Sequence, residues 1–199
     1  MSPDARVSRI VIVSGPPASG KTTLAARLAA DLSLPLIAKD GIKETLFEGL
    51  GTGDVEWSKL LGRGSFALIW HMLEAELAAG RSTLVEGNFD AEYGNRQLAR
   101  LAERFDLEAL QIHCRAEVEV LYKRYAERAS GRHPGHVDAE RLAGLHELLD
   151  AERYLLSVPG RTIVLDTTSF EAFDYDGVRR TVSGYLATGV ADAATRRRQ

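Results

Sequence analysis

The sequence has little cysteine, no excess of positive charge and no long apolar run. Cys114 is its only cysteine, so no disulfide can form within the chain, and disulfide-stapled secreted scaffolds are excluded. The formal net charge is −3, which provides no bulk positive field to hold a long nucleic acid. The apolar run at residues 10–13 is too short for a signal-peptide core, and no other run could span a membrane. These absences predict a cytoplasmic protein with neither a membrane nor a long nucleic acid as partner.

What is present is an ordinary globular composition, with 45% hydrophobic and 27% charged residues in 199. β-branched or apolar runs typical of buried strands occur at residues 8–14, 34–38, 81–86, 107–113 and 161–165. Helical patterns lie between and after them, at residues 21–32, 41–50, 55–79, 96–105, 117–129, 138–156 and 174–186. This alternation predicts a three-layer α/β fold, in which helices cover both faces of a parallel sheet. We expect one domain over residues 1–188, a mobile helical lid at about 124–138 and a disordered tail at 189–199.

The first strand runs directly into a phosphate-binding motif. Gly15, Gly20, Lys21 and Thr22 match GxxxxGK[ST], in which glycines turn backbone amides toward phosphate, the lysine neutralises its oxygens and the threonine ligates magnesium. A helix begins after the loop, and its positive end adds to the anion site. The nucleotide-binding residues predicted from this segment are Gly15, Pro16, Ala18, Ser19, Gly20, Lys21, Thr22 and Thr23. A glycine turn that binds nothing is the alternative, and the match in spacing, residue type and context counts against it.

Four segments together carry a family resemblance: GPPASGKTTLAARLA, KDGIKETLF, TLVEGNF and the arginine-spaced stretch ending in GRHPGH. Over roughly residues 10–166 the chain resembles the small P-loop kinases related to chloramphenicol phosphotransferase and the zeta toxins. The first segment is specific for phosphate binding, whereas the others indicate the group only in combination. The resemblance implies a P-loop NTPase fold with five parallel strands in the order 2-3-1-4-5, ATP and Mg²⁺ as co-substrates, and a small-molecule hydroxyl as phosphate acceptor.

Asp40 follows the second strand. In the kinases that this chain resembles, an aspartate in the matching place is the general base, which implies that role for Asp40. Strand ends of a parallel sheet also point toward the ligand crevice, where a carboxylate can orient an attacking hydroxyl. The alternative is that Asp40 only caps a helix starting near Gly41.

Glu86 ends the third strand, which the implied architecture places beside the phosphate-loop strand. There it can support magnesium together with Thr22, or contact the acceptor. The run of Glu86, Gly87 and Asn88 resembles a substrate-contacting segment of the zeta-like kinases, although Asn88 replaces their threonine. An exposed strand-end acid is the alternative for Glu86. Arg63 is expected on the acceptor side if the helices pack as in those kinases.

Arg124, Arg128 and Arg132 recur every fourth residue, which predicts one shared helical face aimed into the lid. Arginine forks of a closing lid stabilise charge on a transferring phosphoryl group. We therefore assign Arg124 to nucleotide binding, Arg128 and Arg132 to catalysis together with Lys21 and Asp40, and the neighbouring His133 to substrate binding. A solvated basic helix face is the alternative.

Three functions are compatible with these residues. The first is an ATP-dependent phosphotransferase acting on a small-molecule hydroxyl. The second is a polynucleotide-end kinase, which needs a basic patch such as Arg63, Arg96 and Arg100, and the acidic balance counts against it. The third is a nucleotide-binding regulatory or toxin-like module. Asp40 and the lid arginines favour chemistry over such a switch.

Overall fold

The structure, a computed structural model, describes residues 8–129, 131–137, 144–170 and 172–196. Its centre is a five-stranded parallel sheet in the order β2-β3-β1-β4-β5. The strands are β1 Ser8–Ser14, β2 Leu36–Ala38, β3 Thr83–Gly87, β4 Leu107–Arg115 and β5 Gly160–Asp166. The predicted P-loop NTPase fold and its strand order are therefore confirmed.

The central strand β1 is buried on both faces, as its β-branched sequence requires. Ile10 and Ile12 enter one core cluster, and Val11 and Val13 enter the cluster on the opposite face of the sheet. β1 pairs with β3 and β4, so its carboxyl end is flanked by theirs. This arrangement brings the phosphate loop to the middle of the sheet's carboxyl edge.

Helices cover both faces of the sheet. Within the described residues they are α1 Lys21–Leu32, α2 Lys39–Leu50, α3 Val55–Ala78, α4 Ala91–Ala102, α5 Val118–Ala129, α6 Leu145–Leu149 and α7 Tyr175–Arg196. α1 and α7 pack on the face that carries Val11, whereas α3 and α4 pack on the face that carries Ile12. None of these helices combines the length and apolarity needed to cross a membrane.

Two helices differ from their predicted bounds for a local reason. α4 begins at Ala91 instead of residue 96, because Asp90 caps it by accepting hydrogen bonds from the backbone N–H groups of Glu92 and Tyr93. The helix predicted over 138–156 is reduced to α6 and a 3-10 turn at Glu152–Tyr154, and residues 138–143 lie outside the described residues. Asp150 ends α6 because its side chain accepts from the Glu152 N–H and forms a turn.

The end of the chain also differs from expectation. The closing helix was predicted to stop at residue 186 and to be followed by a disordered tail at 189–199. α7 instead continues to Arg196, and residues 197–199 lie outside the described residues. Of the predicted lid at 124–138, residues 130 and 138 are likewise outside them.

Candidate active site

The phosphate loop lies between β1 and α1 and depends on two glycines. Gly15 has a φ of 146°, and a Cβ there would approach the Cys114 carbonyl oxygen to 2.3 Å. Gly20 has a φ of 76° and ends the loop as the residue before α1, with the Phe170 ring against it. Thr167, just after β5, donates from Oγ1 to the Ser19 carbonyl at 2.9 Å. The loop is thus held by backbone geometry and by the neighbouring strand ends.

Lys21 and Glu86 form a buried ion pair at the centre of the site. Lys21 Nζ lies 3.9 Å from Glu86 Oε1 and donates to the Pro16 carbonyl at 3.3 Å. Burial lowers the pKa of Lys21, and the nearby charges of Glu86 and Asp40 oppose this effect. Burial likewise raises the pKa of Glu86, opposed by Lys21. With a side chain only 2% exposed, Glu86 is not the exposed strand-end acid of the alternative interpretation.

Oxygen atoms of Thr22 and Glu86 are suited to a hard cation. Thr22 Oγ1 donates to Glu86 Oε1 at 3.3 Å, while Glu86 Oε2 is buried and has no hydrogen-bond partner among the described residues. A buried carboxylate oxygen without a partner is costly unless a ligand satisfies it. Mg²⁺ takes oxygen ligands and needs few from the protein when phosphates supply others, so these residues fit it. The described residues hold no cluster of three or more His, Cys, Asp or Glu side chains that could bind a metal without such help.

Asp40 lies in the first turn of α2 and does not cap it. The helix begins one residue earlier, at Lys39, and Ala38 is its capping residue, so the capping interpretation is wrong. Asp40 Oδ1 accepts from Lys39 Nζ at 2.9 Å, and Oδ2 accepts from Arg132 Nη2 at 2.6 Å. Burial acts to raise the pKa of Asp40, but Lys39, Arg132 and Lys21 outweigh it and hold this pKa well below its usual range. Asp40 is therefore an ionised carboxylate with a cation on each oxygen.

Arg132 belongs to a hydrogen-bonded chain that joins the lid to α2. His136 Nε2 lies 2.8 Å from Glu44 Oε1, and Arg132 Nη2 lies 3.2 Å from Nδ1 and 3.1 Å from Nε2 of the same ring. When Nε2 carries the proton and donates to Glu44, Nδ1 is the ring nitrogen that can accept from Arg132. Burial, reinforced by the charge of Arg132, lowers the pKa of His136 to about 4, which agrees with a neutral ring.

Aromatic packing adds to the docking of the lid. The rings of His133 and Phe47 are stacked at 5.2 Å, and a Cβ on Gly135 would come within 2.6 Å of the Phe47 ring. His133 Nδ1 accepts from the Gly135 N–H, so His133 caps the 3-10 turn Pro134–His136. In this structure residues 131–137 of the predicted mobile lid are packed on α2.

The three arginines have three different surroundings. Arg124 donates to the carbonyls of Thr167 and Thr168, in the loop after β5, at 2.8 and 2.9 Å. Arg128 lies beside the phosphate loop, and Arg132 binds Asp40. The prediction of one shared helical face is wrong for Arg132, because α5 ends at Ala129.

Two cavities meet at the phosphate loop. The loop cavity is lined by Ala18, Gly20, Lys21, Thr22, Thr23, Arg124 and Arg128. The acceptor-side cleft is lined by Pro17, Lys21, Lys39, Asp40, Asn88, Tyr125, Arg128, Arg132, His136 and Leu148. Lys21 and Arg128 border both. The arrangement can hold two ligands on opposite sides of one pair of cations.

Most of the residues predicted from the sequence line these two spaces. Gly15, Pro16, Ser19 and Glu86 belong to the phosphate loop or contact it without lining either space. Arg63 and His133 lie away from the site: Arg63 is exposed on α3, and His133 is stacked on Phe47 instead of lining the cleft. His136 lines the cleft, in the place expected of His133. Pro134 lies between His133 and His136 in the sequence. A turn that starts at Pro134 points the two histidine side chains in different directions, so the proline indicates that only one of them lines the cleft.

Comparisons with known proteins show the family and the fold of the chain. Residues 10–151 match the AAA domain family. The solved structure of a candidate kinase from Chloroflexus aurantiacus J-10-fl is 34% identical, with a TM-score of 0.83, over 89% of this chain and 98% of that one. No curated protein matches the chain.

Two more distant structures share the fold. A sugar kinase from Janibacter sp. HTCC2649 is 21% identical with a TM-score of 0.51, over 90% of this chain and 95% of that one. Shikimate kinase from Acinetobacter baumannii, in complex with shikimate, is 16% identical with a TM-score of 0.50, over 92% of this chain and 95% of that one. At these identities the likeness shows the fold alone.

Proposed function

The chain belongs to the AAA domain family, and from this membership we propose that it is an ATP-dependent kinase that phosphorylates a hydroxyl of a small polar molecule. The observation that carries the proposal is that Lys21 and Arg128 border both the loop cavity and the acceptor-side cleft. A phosphoryl group passing from one ligand to the other has to cross this boundary. The description of the 34% identical structure as a candidate kinase supports the same activity.

Each residue at the boundary has a role in the transfer. The loop amides and Lys21 bind the β- and γ-phosphates of ATP, and Arg128 neutralises the negative charge of the γ-phosphoryl group during its transfer. Arg124 and the loop after β5 hold the nucleoside side. Mg²⁺ held by Thr22 and Glu86 would neutralise part of the phosphate charge.

Asp40 orients the acceptor hydroxyl in the cleft. The acceptor oxygen forms a bond to the γ-phosphorus as the bond from that phosphorus to the β–γ bridging oxygen breaks, and ADP leaves. The hydroxyl proton passes to Asp40. Because two cations hold the pKa of Asp40 low, we propose that it accepts this proton late, once Arg132 has moved to the phosphoryl group.

The lining of the cleft indicates the kind of acceptor. Ionic and amide side chains, among them Lys39, Asp40, Asn88 and Arg132, surround most of it, while Leu148 is its one aliphatic contact apart from Pro17. Such a surface suits a compact molecule with several hydroxyl groups better than a large apolar one. Membership of the chloramphenicol phosphotransferase and zeta toxin group remains a prediction. Arg63, Arg96 and Arg100 line neither space, so nothing favours a polynucleotide-end kinase.

A transfer assay tests the proposal. The purified chain is incubated with γ-labelled ATP and Mg²⁺ in the presence of sets of sugars, polyols and hydroxy acids, beside an acceptor-free reaction. We expect label to move onto at least one hydroxylated acceptor, with ADP formed in equal amount. Lys21→Met serves as the matched control, since it removes the shared cation without removing the volume. ATP binding without transfer to any acceptor would favour the regulatory-module alternative.

A further inference from the structure

The outward face of α3 is apolar along its length. Leu60, Leu68 and Met72 are 47%, 39% and 43% exposed. We call the α3 stripe the set of residues on this face, which are Leu60, Gly64, Ala67, Leu68, His71, Met72 and Ala75. At 3.6 residues per turn they cover a sector of about 140°. His71 is the only polar member.

A surface helix normally carries its charges on this side. The opposite side of α3 is already used, because Ile69, Leu73 and Leu77 are buried in the core. A second apolar face, running from Leu60 to Ala75, therefore has no function within the chain. Exposed apolar patches of this kind mark interaction sites.

Charges along one edge of the stripe indicate what covers it. In chain order they are Glu56, Arg63 and Glu74, followed by Arg81 just after the helix. If two copies of α3 pack antiparallel about a two-fold axis, residues on the same edge meet each other. Arg63 then faces Glu74 of the partner subunit, and this pair is centred next to Leu68.

In a parallel pair the two-fold axis would run along the helices, and this edge would face the opposite edge of the partner subunit, so Arg63 and Glu74 would not meet. The pairing of unlike charges therefore favours the antiparallel arrangement. Glu74 also pairs with Arg104 at 2.7 Å, and Arg81 pairs with Glu76. Arg63 takes part in no hydrogen bond or ion pair within the described residues. A second copy supplies the carboxylate that Arg63 lacks.

The shape of the stripe is self-complementary about the same centre. Gly64 and Met72 lie four residues on either side of Leu68, so each Met72 side chain meets Gly64 of the partner subunit. A Cβ on Gly64 would have nothing within 4 Å, so no packing within the chain requires a glycine there. A glycine inside a helix costs about 1 kcal/mol relative to alanine. A glycine at position 64 is explained if it forms a notch that receives the Met72 side chain of the partner subunit.

We propose that the α3 stripe is a homodimer interface, in which α3 packs antiparallel on α3 of a second copy with Leu68 at the two-fold axis. With Leu68 on the axis the two helices overlap over residues 58–78, which is about 30 Å at a rise of 1.5 Å per residue. One helix pair is a small interface, so we expect a dimer that dissociates on dilution. α3 packs against α2, which carries Asp40, so the dimer would join the acceptor-side helices of two subunits.

Cysteine cross-linking tests the register. Cys114 is fully buried and burial raises its pKa to about 12, so an introduced cysteine is the only reactive one expected. Under mild oxidation Leu68→Cys should give a disulfide-linked dimer. Leu60→Cys should not, because the two sulfurs would stand about 24 Å apart along the axis. Cross-linking of both variants would mean a parallel pair, and cross-linking of neither would remove the interface; each result overturns the proposal.

Sedimentation velocity of the full chain over a concentration series provides the second measurement. The wild type should shift from monomer to dimer, and Leu68→Glu should remain monomeric because two carboxylates meet on the axis. Val164→Glu is the matched control, since Val164 is 50% exposed on β5, away from α3, and this variant should dimerise normally. Arg63→Glu should weaken the dimer, and adding Glu74→Arg should restore it. A wild type that stays monomeric at all concentrations would refute the interface.

Discussion

Arg132 Nη2 donates to Asp40 Oδ2 at 2.6 Å, across 92 residues of sequence. Arg132, which we expect to contact the transferring phosphoryl group, thus binds Asp40, which we expect to orient the acceptor hydroxyl. Only Nη2 of Arg132 donates to Asp40, so under the proposed function the same guanidinium would turn toward the phosphoryl group when phosphate arrives.

Replacing Arg132 by Ala should lower kcat more than it weakens ATP binding, because Arg132 reaches the phosphoryl group only as the transfer proceeds. Calorimetry gives the ATP Kd and steady-state kinetics give kcat. Lys123→Ala is the matched control, since Lys123 is an exposed α5 cation with only a 3.9 Å ion pair to Glu127. Equal losses in kcat and ATP affinity would mean that Arg132 merely anchors the nucleotide.

Arg124→Ala should have the reverse profile. Its guanidinium is bound to the carbonyls of Thr167 and Thr168, beside the nucleoside end of the loop cavity. We expect ATP affinity to fall by about tenfold, the scale of one lost charge-assisted hydrogen bond, while kcat at saturating ATP changes little. The same calorimetric and kinetic measurements check this. A kcat loss larger than the affinity loss would place Arg124 with the catalytic arginines.

Asp40→Asn should reduce phosphoryl transfer by about 100-fold, the scale of a general acid–base contribution, with ATP affinity close to wild type. The carboxyl group of Asp40 lines the acceptor-side cleft and not the loop cavity. Its low pKa means that any acidic limb in the wild-type rate lies below the usual range for aspartate.

Glu44→Gln is the control for Asp40. It changes a carboxylate one turn along α2 that binds His136 and lies outside both cavities. An equal loss of transfer in both variants would show that docking of the lid, and not the Asp40 carboxylate, is what matters.

Lys21→Met should abolish transfer and leave the secondary structure intact by circular dichroism. Lys21 is buried beside Glu86, so removing its charge also removes the effect that opposes the raised pKa of Glu86. We therefore expect Glu86 to take up a proton more easily in this variant. Near-normal turnover would contradict the assignment of the phosphate loop.

The free energy of unfolding should decrease as the pH drops below about 6.5, and His136 is one cause of this decrease. Burial and Arg132 lower its pKa to about 4, against the opposing effects of Asp40 and Glu44, while Lys43 adds a further lowering charge. Between about pH 6.5 and 4 the unfolded chain binds a proton on this ring that the native state does not, so acid favours unfolding. Asp40 does not contribute to this pH dependence between pH 5 and 7, because its pKa is lowered from 3.8 and the carboxylate is already ionised in that range.

The measurement is the thermal unfolding midpoint at pH 7 and at pH 5. We expect His136→Gln to show a smaller decrease than the wild type. The exposed His146→Gln variant, on α6, should keep the wild-type decrease. An unchanged decrease in His136→Gln would exclude His136 as the source.

The sequence alone determined the phosphate loop and the sheet around it. Gly15, Gly20, Lys21 and Thr22 are contiguous, and their conformations are imposed locally by glycine and by the start of α1. The strand order followed from family resemblance. The sequence placed Glu86 at the end of the strand beside the phosphate-loop strand, but left its burial open.

Only the tertiary structure decided which lid residues meet the site. Arg132, His136 and His133 lie within five residues, yet one binds Asp40, one lines the cleft and one stacks on Phe47. The end of α5 and the turn at Pro134 set these directions, and their partners lie on α2, far away in sequence. Likewise, α3 is apolar on both sides, so periodicity does not reveal its outward face. Packing against the sheet buries one side and leaves Leu68 in solvent.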